Sequence, residues 1–199
     1  MTNFSNSQLI LIVVGCILLI GGCNGCTSYN TMVSKNERVE ESWGQVENVY
    51  QRRADLIPNL VNAVKGAANF EKNTLEAVIT ARAAATQIKL DPSNLTPENI
   101  QAFQDAQQGL SGALSKLLMI TENYPELKAN ANFKSLQVEL AESENKIAYE
   151  RRVFNESVKE YNEYKKKFPK NIWAGMFGFE NKSYFEAEKG SEKAPEVQF

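Results

Sequence analysis

Histidine is absent from this chain, and with it go the commonest general base, the Ser-His and Cys-His nucleophile pairs and every His-dependent metal site. A basic excess is missing too. The 22 Lys and Arg face 24 Asp and Glu, a net charge of −2, so the electrostatic footprint of a nucleic-acid binder is not there. No charged side chain occurs before Lys35 and no cysteine after Cys26. Cysteine usage therefore carries no record of the main domain's redox compartment. A phosphate-binding loop is lacking as well: Gly109-Leu110-Ser111-Gly112 has neither the lysine nor the strand context of one, and reads instead as small residues that let helices approach closely.

What is present begins with hydrocarbon. Residues 9–20 are apolar apart from Gly15 and Cys16, and with residues 21–26 the uncharged stretch reaches 18 residues. A helix rising ~1.5 Å per residue carries that length across most of a ~30 Å bilayer core. No polar face marks a buried core helix, and no basic region precedes it as in a secretory signal. The expectation is a retained single transmembrane span carrying Leu9, Ile12, Val14, Ile17, Leu19 and Ile20. One alternative stays open: Ile20-Gly21-Gly22-Cys23 loosely resembles a lipobox, which would make Cys23 a lipidation site. Lys35 and Arg38 follow the run while no cation precedes it, which favours an N-out, C-in orientation. Gly21-x-x-x-Gly25 offers a helix-dimer contact, and Cys23-x-x-Cys26 has no βαβ context to give it redox meaning.

Beyond Tyr29 the pattern is helical. Val39, Trp43, Val46, Tyr50, Arg53, Ile57, Leu60 and Val64 are spaced by alternating fours and threes, the seam of a helix in a bundle. Pro58 inside this seam predicts a kink near Leu56. Four helices are expected, about 29–65, 70–89 (starting at an inward Phe70), 97–123 and 131–167. Asp91-Pro92-Ser93-Asn94 forms a turn, Thr96-Pro97-Glu98 a helix start, and Pro125 and Pro169 mark stops. The fold class is all-α: an N-terminal transmembrane helix (residues 1–28 with a short tail), then an antiparallel up-down four-helix bundle (29–169) whose first and last helices are long. These two would share a stalk toward the bilayer. Residues 170–199 form an aromatic segment and a disordered tail. Its aromatics, Tyr184-Phe185 included, cap the lower end of the core, or Trp173, Phe177 and Phe179 sit at the membrane interface.

Arg53 and Arg151 interrupt apolar seams, and a charge there is costly unless paired. Arg53 is 12 residues from residue 65 and Glu144 is 13 from residue 131, ~18 and ~20 Å along adjacent helices, so the two fall level. Arg53, or its neighbour Arg52, is expected to pair with Glu144, with Asp55 and Asn59 as further partners. The cluster reads as structural: no nucleophile or metal set accompanies it, and a di-iron site would want Glu-x-x-His.

Several runs together resemble the bacterial LemA family. They are Tyr29-Asn30, Trp43, Gln51-Arg52-Arg53-Ala54-Asp55-Leu56-Ile57-Pro58-Asn59-Leu60-Val61, Gly109-Leu110-Ser111-Gly112-Ala113-Leu114, Glu122-Asn123-Tyr124-Pro125-Glu126-Leu127-Lys128, Glu144-Asn145-Lys146-Ile147, Arg151-Arg152, Phe154-Asn155, Phe168-Pro169 and Gly178-Phe179. The resemblance covers nearly the whole chain. It implies one span, a helical bundle, no established enzymatic activity and no cofactor; a branch of the family is associated with magnetosome membrane formation. Where relatives carry Tyr in a Gly-Tyr-Asn-like span end, this chain has Cys23-Asn24. The function expected is a non-catalytic, membrane-anchored scaffold of the bacterial envelope that self-associates as a homo-oligomer or holds other envelope proteins. The alternative is a signal- or ligand-sensing module that works through Pro58.

Overall fold

The computed structural model describes residues 6–66 and 71–186, and every regular element among them is an α-helix. These are α1 (Asn6–Lys65), α2 (Lys72–Gln87), α3 (Pro97–Thr121), α4 (Pro125–Ala129), α5 (Ala131–Lys166) and α6 (Lys170–Met176). Helix α2 is shorter at both ends than the sequence pattern predicts, Phe70 lies outside the described residues, and α4 and α6 are additional. Residues 187–199, expected to form the disordered tail, also lie outside.

Local chemistry sets the element ends. Thr96 Oγ1 accepts from the Asn99 amide at 3.3 Å, with Pro97 at the first helical position of α3. Asp91 Oδ1 accepts from the Ser93 amide at 2.9 Å and closes the preceding turn. Asn130 Oδ1 accepts from the Asn132 and Phe133 amides at 2.9 and 3.2 Å, capping α5 and separating it from α4.

Helix α1 runs through Pro58. Proline has no N–H, so the Ala54 carbonyl one turn earlier loses its helical donor. Arg82 of α2 replaces it, its Nε donating to that oxygen at 2.7 Å. The defect expected from the sequence is therefore filled by a side chain of the next helix.

The chain falls into two compact units, Met1–Val39 with Ser157–Lys182, and Glu40–Glu156 with Ser183–Phe199. In the second, Trp43 meets Phe154 and Arg53 meets Glu144, so α5 numbering falls as α1 rises and the two are antiparallel. Trp43 also meets Phe103, and Arg53 meets Gln107 and Ser111, so α1 and α3 run parallel. A hydrophobic core of Ile57, Leu60, Val64, Val78, Leu110, Leu117, Phe133 and Leu140 fills the bundle. Each such side chain contributes about 1.5–3 kcal/mol on burial. Gly109 and Gly112 face open space, so the close helix approach read from them is not what they serve.

In the first unit Lys35 and Arg38 of α1 both reach Glu160 of α5, at 3.1 and 3.3 Å. Among the described residues no helix is long and apolar enough to cross a membrane. Leu9, Ile12 and Leu19 are exposed. The side chains of Val14, Ile17 and Ile20, with those of Val13, Cys16 and Leu18, lie outside the described set. The Thr27 and Thr31 hydroxyls donate to carbonyls four residues back, so α1 continues past Cys23 as regular helix.

Candidate functional site

Arg53 is 1% exposed and sits in the seam of α1. Its Nη1 donates to Glu144 Oε1 at 2.5 Å and to Ser111 Oγ at 2.8 Å. Its Nη2 donates to Gln107 Oε1 at 2.6 Å and lies 3.4 Å from the Gln107 carbonyl. The Tyr50 ring lies 5.2 Å from the guanidinium. Gln107 turns its amide nitrogen the other way, onto the Ala85 carbonyl at 3.2 Å. That oxygen belongs to the last turn of α2, where carbonyls lack helical donors. One polar layer, buried at Arg53 and Gln107 and open to solvent at Glu144, thus ties α1, α2, α3 and α5 together, while Arg53 Nε has no partner among the described residues.

The other sequence candidates lie elsewhere. Arg52 is exposed. Asp55 is exposed and accepts from Gln51 at 2.8 Å, because two residues along a helix is about 200° around it, away from Arg53. Asn59 lines a shallow groove with Asn62, Asn132 and Glu139. Arg151 donates to the Glu186 carbonyl at 3.0 Å and stacks 5.0 Å over Phe185.

Phe185 is one of the tail aromatics that the sequence offered as a cap on the core, and what sequence reasoning missed is how its backbone is held. It is 4% exposed, stacked on Trp43 at 5.7 Å and edge-on to Phe154 at 5.3 Å. Its backbone is bracketed by Asn155, whose Nδ2 donates to the Phe185 carbonyl (3.0 Å) while its Oδ1 accepts from the Phe185 amide (2.8 Å). Gln104 brackets Glu186 in the same way, at 3.0 and 3.2 Å. Successive residues of an extended chain point to opposite sides, so two helices can each hold one.

In the first unit Asn162 brackets Lys182 at 2.8 and 3.0 Å, and the Tyr161 hydroxyl donates to the Glu180 carbonyl at 2.9 Å. Burial, with the Glu180 carboxylate adding to it, pushes the Tyr161 phenol up to about 12. Trp173 lies against Gly25, where a Cβ would come within 3.2 Å of its ring; a tight contact with the tail, rather than a helix dimer, accounts for that glycine. Tyr29 packs edge-on to Phe177 at 4.9 Å and lies 5.7 Å from Phe179. Cys23 is a free, exposed thiol.

The polar layer borders a cavity of about 60 Å³, lined also by Gln104, Gln108 and Arg151, which suits water or a small polar group. Among the described residues no group of His, Cys, Asp and Glu could hold a metal ion. The chemistry the layer can perform is positional: the two Nη groups of one guanidinium and one carboxamide link four helices at a single level.

The family model described as "LemA family" matches residues 42–199. The chain belongs to the LemA family. Magnetosome protein MamQ 2 and Magnetosome protein MamQ 1 of Paramagnetospirillum magneticum are each 26% identical to it over 175 residues, covering 79% of this chain and 64% of theirs. Magnetosome protein MamQ of Magnetospirillum gryphiswaldense is 26% identical over 174 residues with the same shares. This LemA-family chain therefore spans just under two thirds of the length of the curated relatives it matches. The family match starts at Ser42, so it covers nearly all of the second unit and the Ser157–Lys182 part of the first, but not the apolar run.

Proposed function

We propose that this LemA-family chain is a non-catalytic helical scaffold of the bacterial membrane, anchored by residues 9–26 and acting through helix-face contacts with further copies or other envelope proteins. The observation that carries the reading is helix α1 itself. One 60-residue helix bears an uncharged, apolar stretch toward its start and the buried seam of the Arg53 layer toward its end. Lys35 and Arg38 follow the stretch, so the N-out, C-in orientation belongs to the same proposal. The likeness to proteins named for the magnetosome supports work on a membrane. The Arg53 cluster supports rigidity, since its residues are committed to each other. A sensing module flexing at Pro58 is less favoured, because Arg82 already occupies the carbonyl that a hinge would free.

The test is extraction of the full chain from bacterial membranes. The chain is expected to resist alkaline carbonate and to be released when Ile12→Arg and Ile17→Arg are combined. In-cell crosslinking along α1 should yield copies of the chain or fixed partners. Wild-type protein released by carbonate, or a chain that crosslinks to nothing, would overturn the anchor and the scaffold role respectively.

A further inference from the structure

Between Tyr164 and Phe179 the chain has four lysines and no acidic residue. Lys165 and Lys166 close α5, Lys167 follows it, and Lys170 opens α6. Interleaved with them are apolar side chains facing outward: Phe168 is 81% exposed, Met176 68% and Ile172 51%. Ile172 and Met176 are four residues apart, on one side of α6. Exposed hydrocarbon of this kind costs solvation unless something covers it.

The segment is held in a particular place on α1. Trp173 against Gly25, and Phe177 and Phe179 against Tyr29, fix it at the end of the uncharged stretch, just where α1 becomes polar. Lys170 Nζ lies 3.9 Å over the Tyr164 ring, and Lys167 meets Glu163 at 2.8 Å on the exposed face; Lys166 is exposed and Lys165 half-buried.

We propose that this segment is a binding surface for anionic lipid, in which Lys165, Lys166, Lys167 and Lys170 take headgroup phosphates while Phe168, Ile172 and Met176 enter the outer acyl region. The proposal rests on the anchored reading above, which puts residues 25–29 at headgroup depth. Alternating cations and hydrocarbon match the two chemistries met in sequence at an anionic bilayer surface, and a protein partner would not require four charges of one sign within six residues. Interfacial Trp and Tyr fit the same depth.

The full chain is reconstituted into vesicles of purely zwitterionic lipid or with about a third anionic lipid, and tryptophan quenching by brominated acyl chains is read. Trp43 is fully buried, and a Trp173→Phe variant assigns the signal to Trp173. Quenching should be roughly two-fold greater in anionic vesicles and should fall with added salt. It should lose that excess when Lys166, Lys167 and Lys170 become Gln, and fall in both lipids in Phe168→Ser/Met176→Ser. Equal quenching in the two lipids, or an excess indifferent to the Gln substitutions, overturns the proposal. So does crosslinking of Phe168 to a protein with no lipid dependence. Flotation of the same samples reads the anchor separately: vesicles that fail to carry the protein in either lipid refute the anchor, whereas flotation without differential quenching refutes only the lipid surface.

Discussion

Residues 1–39 and 157–182 carry eight basic and four acidic side chains, a balance of +4, whereas residues 40–156 and 183–199 carry fourteen and twenty, a balance of −6. The near-neutral whole hides this division. The two units are also built differently. The acidic one closes around an aliphatic and aromatic core with the Arg53 layer inside it, and exposes single apolar side chains such as Met119 and Val138; the basic one exposes Phe168, Ile172 and Met176 among its lysines. One unit pairs its interior charge within itself, while the other sets cations and hydrocarbon side by side on its surface.

The comparison breaks most visibly at Arg53. Arg53→Met keeps the stem but leaves Gln107 Oε1, Ser111 and Glu144 without their donor, and should cost about 3 kcal/mol in denaturant unfolding of the detergent-solubilised protein. Gln107→Leu alone strands the Ala85 carbonyl and Arg53 Nη2. Because the two residues share one network, the double variant should cost clearly less than the sum of the singles. A loss below about 1 kcal/mol for Arg53→Met would mean that the layer contributes little to the acidic unit's independence.

A smaller effect sharpens the account of α1. Arg82→Met removes the donor to the Ala54 carbonyl and should cost about 1–2 kcal/mol. Pro58→Ala restores an N–H at residue 58 that can serve the same oxygen. In the Pro58→Ala background the Arg82 substitution should therefore be nearly neutral. Equal costs in both backgrounds would show that Arg82 stabilises α2 by some route other than the proline defect.

How much of this was legible follows from which residues carry their own signal. The all-helical fold was legible because threes and fours recur through α1 and α5, and the start of α3 is written in Thr96-Pro97. Arg53 announced itself as a charge in an apolar seam. Gln107 carried the same signal, since Ile100, Phe103, Gln107, Leu110 and Leu114 step by threes and fours, but an uncharged amide among leucines is easily passed over. Asp55 and Asn59 were drawn in by nearness in sequence although the helix turns them away. The brackets on Phe185, Glu186 and Lys182 were not legible. A side-chain amide that will hold a returning backbone looks like any exposed Asn or Gln until the chain's path is known.

The smallest expected effect belongs to the basic unit and depends on pH. Tyr161 ionises near 10 when unfolded, but burial and the Glu180 carboxylate hold it protonated up to about 12 in the fold. Between these values the folded state binds the proton and the unfolded state does not, so stability falls as pH rises. The hydroxyl's hydrogen bond to the Glu180 carbonyl is fully present below pH 10 and lost as the phenol ionises, because a phenolate cannot donate. Tyr161→Phe lacks both the hydrogen bond and the titration. Wild-type protein should exceed this variant in stability at pH 8 and lose that advantage progressively from pH 10 toward 12, read by denaturant unfolding at fixed ionic strength. An advantage that stayed constant across the interval would mean that Tyr161 contributes only its ring, and that the basic unit's tail is held there by Asn162 alone.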